Sequence, residues 1–305
     1  MIRLNTKMAV KVKSTHFMMK MMMLLILMSS TTYAYTFKDI SNVNAYAKGN
    51  AVTAAEIGLD GIHKNPASLG SIKKITFLSS YSSHFQMATL SQFGVAFPIQ
   101  NVNIGFNLPL KYISDIPLTA ANSSNQGEQI GSFSDIQAVG MMSVSTKFDY
   151  KTTIGCNINL YGQKLYNQRA MGLGLDVGAI IDNKEYQLGI AIQDINNTSI
   201  KWSTGYEEKL LPKLNIGIKK ETEFGGTIFV DSSIQSNTPF VGNIGYEFNL
   251  AKTFRVSLGL NDVTGIKKVT CGTSLELDTI ELNYSFSQLE TLGSSHNIGL
   301  KFTAF

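Results

Sequence analysis

Residues 102–112 are VNIGFNLPLKY, and taking every second residue separates the string into two unlike rows. Val102, Ile104, Phe106, Leu108, Leu110 and Tyr112 form an apolar row, whereas Asn103, Gly105 and Asn107 form a small, polar one. A period of two is the signature of a β-strand, whose side chains alternate between faces. Leu214, Ile216 and Ile218 alternate in the same way with Asn215, Gly217 and Lys219. So do Ile280, Leu282, Tyr284 and Phe286 with Glu281, Asn283 and Ser285.

Working outward from 102–112, about 14 such segments are expected, near 75–84, 89–99, 102–113, 135–148, 152–164, 170–181, 185–193, 211–221, 224–235, 239–249, 253–262, 266–277, 279–287 and 295–305. A soluble β-sandwich hides its apolar face and wets a charged one. Here the second face is rich in Gly, Asn, Ser and Thr, which suits the lumen of a barrel whose apolar face meets lipid. The even strand number agrees with this. The fold class expected is all-β, a transmembrane antiparallel β-barrel. Connector lengths point the same way: the turns around Gln100, Asp149-Tyr150, Asp182-Asn183, Thr222-Glu223, Ala251 and Asp278 are tight, and 114–134 and 194–210 are long. With the first strand rising from the periplasm, the tight turns and both termini fall on the periplasmic side.

The N-terminus carries an export signal. Arg3, Lys7, Lys11, Lys13 and Lys20 precede an apolar run from Met21 to Met28, and Thr32-Tyr33-Ala34 supplies a small-residue cleavage site. The run is shorter than the ~20 residues of a membrane-spanning helix. The expected organisation is therefore a signal peptide over 1–34, an N-terminal segment over 35–73 ahead of the first strand and the barrel over 74–305, in the cell outer membrane. All five of those cations leave with the signal, which contains none of the 22 acidic residues, so the net charge of +4 belongs to the leader. No nucleic-acid partner is implied. Cys156 and Cys271 fall among outward-facing residues and are expected to be small lipid-facing side chains rather than a disulfide framework.

No enzyme is expected. His63, His84 and His296 are the histidines beyond the leader, and spacing pairs none of them with a nucleophile. They are expected to be plain surface residues. No metal-ligand cluster, phosphate loop or dinucleotide fingerprint appears, and no cofactor is expected. Charges on the polar face are more informative, because a Lys or Arg facing lipid costs roughly 2–4 kcal/mol at mid-membrane. Asp176, Lys219, Glu247, Arg255, Glu281 and Lys301 occupy that face, as a structural ion-pair lattice or as a substrate path. Placing Phe248 opposite Phe254 makes Glu247 and Arg255 direct cross-strand partners.

The segment Asn44–Leu69, NAYAKGNAVTAAEIGLDGIHKNPASL, runs from small residues into Asn65-Pro66-Ala67. With Gly174-Leu175-Asp176-Val177-Gly178, Leu211-Pro212 and Asn283-Tyr284-Ser285-Phe286, it resembles the FadL-like barrels of the PorV/PorQ type, relatives of long-chain fatty acid channels. Lys64 departs from the Trp or Tyr usual before the Asn. The resemblance implies an N-terminal hatch plugging the lumen around Asn65, Pro66 and Ala67. Ala45, Ala47, Gly49, Ala51, Ala54 and Ala55 would let it pack closely. It also implies passage of fatty-acid-like or aromatic molecules, with a PorV-like role in handling proteins for type IX secretion, or a purely structural barrel, as alternatives. The terminal strand with Phe302 and Phe305 resembles the signal read by the barrel-assembly machinery, and a monomer in outer-membrane lipid is expected.

Overall fold

The computed structural model describes residues 42–121, 127–223, 225–265, 267–289 and 292–304. The expected leader over 1–34, the start of the hatch up to residue 41, and Phe305 lie outside the described residues. A short helix, α1 (Val43–Ala47), and two 3-10 turns at Gly58–Asp60 and Pro66–Ser71 precede sixteen strands. These are β1 (Thr76–His84), β2 (Ala88–Ile99), β3 (Val102–Ala121), β4 (Gly127–Lys147), β5 (Thr152–Leu165), β6 (Gln168–Asp182), β7 (Gln187–Gln193), β8 (Ser199–Trp202), β9 (Glu207–Lys209), β10 (Lys213–Glu221), β11 (Gly226–Gln235), β12 (Val241–Ala251), β13 (Phe254–Asn261), β14 (Lys268–Leu277), β15 (Ile280–Leu289) and β16 (Gly293–Thr303).

Each strand from β1 to β6 pairs antiparallel with its successor, β7 pairs with β10, and pairing continues in order to β16, which returns to β1. Fourteen strands thus close into an antiparallel barrel, as the alternation predicts. Strands β8 and β9 lie outside that circuit. They form a small hairpin on β6, where Ala170 pairs with Trp202 and Lys201 with Glu207.

The barrel is apolar outside and polar inside. Phe93, Phe106, Leu160, Leu173, Leu258 and Ile298 are exposed on its outer surface, and Asn157, Asn159, Asn215, Asn243, Ser285 and Asn297 are buried within. A water-soluble barrel would invert this arrangement. The exposed belt is the surface of a barrel set in hydrocarbon, where closure pairs each strand of the circuit with two neighbours.

The long connectors differ from expectation. The segment 114–134 is mostly an extension of the β3–β4 ladder, with Ile116 paired to Phe133 and Ala121 to Gly127. A bulge between Ile113 and Ile116, with Asp115 at φ 56°, inserts extra residues. The alternation breaks there while pairing continues. The second connector, 194–210, carries the β8–β9 hairpin and sends Ile200 and Leu210 into the core.

Candidate functional site: a plugged lumen and an interrupted wall

The segment from Asn42 to Ile72 fills the lumen. The side chain of Asn42 caps α1 by accepting from the Asn44 amide at 2.8 Å, and every residue of α1 is buried. The helix touches β13 to β16, whereas the Pro66–Ser71 turn touches β3 to β6 across the barrel. Lumenal glycines make room for it. A methyl group at Gly155 would lie 2.6 Å from the Pro66 carbonyl carbon, and one at Gly245 would lie 2.5 Å from the Lys48 carbonyl oxygen. Those glycines therefore mark the sites where hatch backbone meets wall, a more specific role than polarity alone.

Asn65, Pro66 and Ala67 form the central turn of this segment. Asn65 is extended, at φ −147° and ψ 113°, as a following proline favours. Its Oδ1 accepts from the Ala67 amide at 3.0 Å, and its Nδ2 donates to the Thr53 carbonyl at 2.8 Å and to the Ala179 carbonyl on β6 at 3.0 Å. Ser68 Oγ donates to the Ala55 carbonyl at 2.9 Å. The wall adds further ties: Asn103 Nδ2 donates to the Leu69 carbonyl at 3.0 Å, Asn157 Nδ2 to Ile62 at 2.9 Å, and Thr53 Oγ1 to Asp231 at 2.7 Å. His63 is buried rather than superficial, because it sits in this plug with its carbonyl accepting from Gln193. His296 is exposed on the outer surface beside Tyr284.

Four of the six lumenal charges meet at the short-turn end. Lys48 Nζ lies 2.7 Å from Glu247 Oε2, Arg255 lies 3.9 Å from Glu247 and 3.0 Å from Glu281, and Lys301 lies 2.9 Å from Glu281 and 2.5 Å from Asp60. Arg255 also meets Glu276 at 2.7 Å. The chain Lys48, Glu247, Arg255, Glu281, Lys301, Asp60 alternates in sign. It begins and ends on the hatch and crosses the wall between. Asp176 lies elsewhere, accepting from Asn157 at 3.0 Å, Asn159 at 2.9 Å and the Asp194 amide at 2.9 Å. Lys219 faces the lumen opposite Phe229 and, among the described residues, does not join the chain.

The direct pairing expected for Glu247 and Arg255 is corrected. Glu247 stands opposite Ser257, and Arg255 opposite Asn249. Ala251 pairs with Phe254 and the register shifts between Asn249 and Ala251, so Leu250 is an extra residue beside a two-residue turn. The bulge preserves the lumenal orientation of both side chains but displaces them by two positions. They sit diagonally rather than face to face.

Among the described residues the β3–β4 ladder misses one step that the alternation did not reveal, with the register unchanged across it. Pairing between β3 and β4 runs from Val102 with Thr146 to Asn107 with Met141, then resumes at Leu110 with Ala138, passing over Leu108 and Pro109. Proline has no amide hydrogen to donate to a ladder. Inside this point, Leu59, Ile62 and Leu69 of the hatch pack with Leu78, Val139, Met141 and Tyr161, and the cluster continues to Ile200 and Leu210 of the long connector. Outside it lies an apolar groove of about 770 Å³, lined by Phe93, Phe106, Leu108, Gly140, Met142 and Leu160 among others. The proline within a strand pattern was the available signal.

Fold and site together define a closed fourteen-stranded antiparallel β-barrel of the FadL-like architecture. A family model described as "F plasmid transfer operon, TraF, protein" matches residues 5–265, and the chain belongs to that family. No curated relative matches the sequence. The Pseudomonas putida toluene transporter TodX is similar, with a TM-score of 0.61, 11% identity, and coverage of 84% of this chain and 95% of that one. A Pseudomonas aeruginosa FadL homologue gives a TM-score of 0.57 at 8% identity, covering 86% of this chain and 98% of that one. At such identities the likeness is one of fold.

Proposed function

We propose that this protein is an outer-membrane channel through which hydrophobic small molecules, fatty-acid-like or aromatic, cross the lipopolysaccharide leaflet and leave sideways through the wall. The carrying observation is the unpaired step at Leu108 and Pro109, which separates the lumenal apolar cluster from the outer groove. A hydrophobic molecule following that cluster exchanges one apolar surface for another and never enters the periplasm as a free solute. The similar barrels include ones named as a toluene transporter and a monoaromatic hydrocarbon channel, which supports the substrate class. The protein works as a monomer in outer-membrane lipid, delivered by the barrel-assembly machinery. Phe302, which faces outward beside Phe77 with ring centroids 6.3 Å apart, belongs to the strand that machinery reads.

Uptake of labelled oleate and toluene by a strain lacking the gene is the decisive test. Uptake should fall relative to wild type and return with a plasmid copy; equal uptake in both strains refutes the channel. The β3–β4 ribbon beyond Ile116, with Ile130 63% exposed, favours a second reading. In it the barrel is of the PorV/PorQ type and receives secreted proteins at its outer face. Loss of secreted proteins from the culture medium, with oleate and toluene uptake intact, would select that reading.

A further inference from the structure

Gln92 on β2 is the register partner of Pro109, and both side chains are buried on the lumenal side of the interrupted step. Its Nε2 donates to Asn107 Oδ1 at 3.0 Å, and Asn107 Nδ2 turns to Met141 Sδ at 3.8 Å. This relay orients both amides. Gln92 Oε1 is left without a hydrogen-bond partner although the residue is only 3% exposed. Ser80 of β1 stands opposite Gln92, while its other side is apolar: Leu59 of the 42–72 segment packs near Gly94 and Asn107, and Val139 and Met141 lie on β4, one strand beyond β3. A bare amide oxygen in such surroundings is costly, and an arriving donor recovers that cost.

We infer that Gln92 reads a hydrogen-bond donor on the passing molecule, so that the channel favours neutral hydrophobic alcohols and phenols over hydrocarbons of the same shape. The inference rests on the lateral passage proposed above. A hydroxyl reaching Oε1 from the apolar side completes the relay Gln92, Asn107, Met141. A hydrocarbon leaves the oxygen bare. One net hydrogen bond corresponds to a preference of roughly tenfold.

The test compares 4-methylphenol with toluene, which differ by a single hydroxyl. Intact cells producing the full-length protein are supplied with each radiolabelled compound, and uptake by the strain lacking the gene is subtracted. Wild type should take up 4-methylphenol about tenfold faster than toluene. Gln92→Met, close in shape but without an acceptor, should bring the ratio of the two uptake rates to about one. Gln92→Ala, which removes volume instead of altering shape, should do the same and serves if the Met variant fails to assemble. Uptake of both compounds with a preference that survives either substitution overturns the inference and leaves the channel standing. Toluene uptake by wild type equal to that of 4-methylphenol overturns it without recourse to any variant. If neither compound enters faster than in the strain lacking the gene, the channel and the inference fall together.

Discussion

Lys48 Nζ sits 2.7 Å from Glu247 Oε2, so a hatch cation with a side chain 2% exposed is held by a carboxylate of the barrel wall. Lys48 also donates to Asn44 of its own segment, and Glu247 accepts from Ser257 Oγ at 3.2 Å. Removing one partner of a buried ion pair leaves an uncompensated charge and costs about 3–5 kcal/mol. The two ends of this contact are not equivalent. Glu247→Gln leaves Lys48 buried with Asn44, whereas Lys48→Met leaves Glu247 near Arg255 and Ser257. We expect Glu247→Gln to loosen the hatch more than Lys48→Met, and the double variant to behave like Lys48→Met. Single-channel conductance in planar bilayers measures this. Equal conductance in wild type and Glu247→Gln would show that the pair does not hold the hatch.

Arg255 provides a second test, based on the corrected register. It contacts Glu247, Glu276 and Glu281 together, and no single residue is its reciprocal partner. Arg255→Glu would gather four carboxylates at one end of the lumen and should lower the temperature at which the barrel unfolds on a mild-detergent gel. Adding Glu247→Arg should not rescue it, because the new arginine would face Lys48. Full rescue by the double variant would instead favour the direct pairing that the bulge at Leu250 rules out.

Asn65 holds the hatch's central fold by three hydrogen bonds, two of them within the hatch and one to β6. Asn65→Ala leaves buried backbone groups of Thr53 and Ala67 unpaired, at a cost of about 2–3 kcal/mol. The barrel's own ladder is untouched, so assembly should proceed while amides across 42–72 exchange hydrogen faster than in wild type. Deleting 36–72 should go further and give an assembled barrel that admits larger and more polar solutes. Exchange confined to the strands in Asn65→Ala would locate the side chain's effect in the wall instead.

The barrel was legible in the sequence because each strand repeats one physical demand, apolar toward lipid and small or polar toward the lumen. Asn103, Gly105 and Asn107 show this as clearly in the string as in the fold. What escaped were features that depend on single residues acting out of pattern. The extra residue at Leu250 shifted the Glu247–Arg255 pairing without changing either side chain's face. The irregularity at Asp115 disguised the continuing β3–β4 ribbon as a loop. Lys48 and Asp60, the hatch ends of the ion chain, stood in a stretch notable only for its small residues, and the wall charges could not identify them without the plug in place. Lumenal glycines such as Gly155 and Gly245 were visible, but alternation alone could not distinguish a wet lumen from one filled by backbone.

The proposed lateral exit makes the sharpest demand on Gly140. This residue lies on β4 beside the unpaired step, with its position directed to the outer groove. A Cβ added there would come no closer than 3.8 Å to Leu160 Cβ, an ordinary contact, so the backbone tolerates a side chain. Gly140→Trp would place a large apolar group in a groove of about 770 Å³ on the lipid side, where it satisfies the barrel's exterior pattern. Assembly should therefore survive, and heat resistance on a gel should match wild type. Passage should not survive, because the indole would occupy the space into which a molecule emerges. We expect oleate and toluene uptake to fall by about tenfold, while a tryptophan at Gly162, which faces open space on the neighbouring strand, leaves uptake unchanged. Undiminished uptake in an assembled Gly140→Trp barrel would mean that molecules do not leave between β3 and β4.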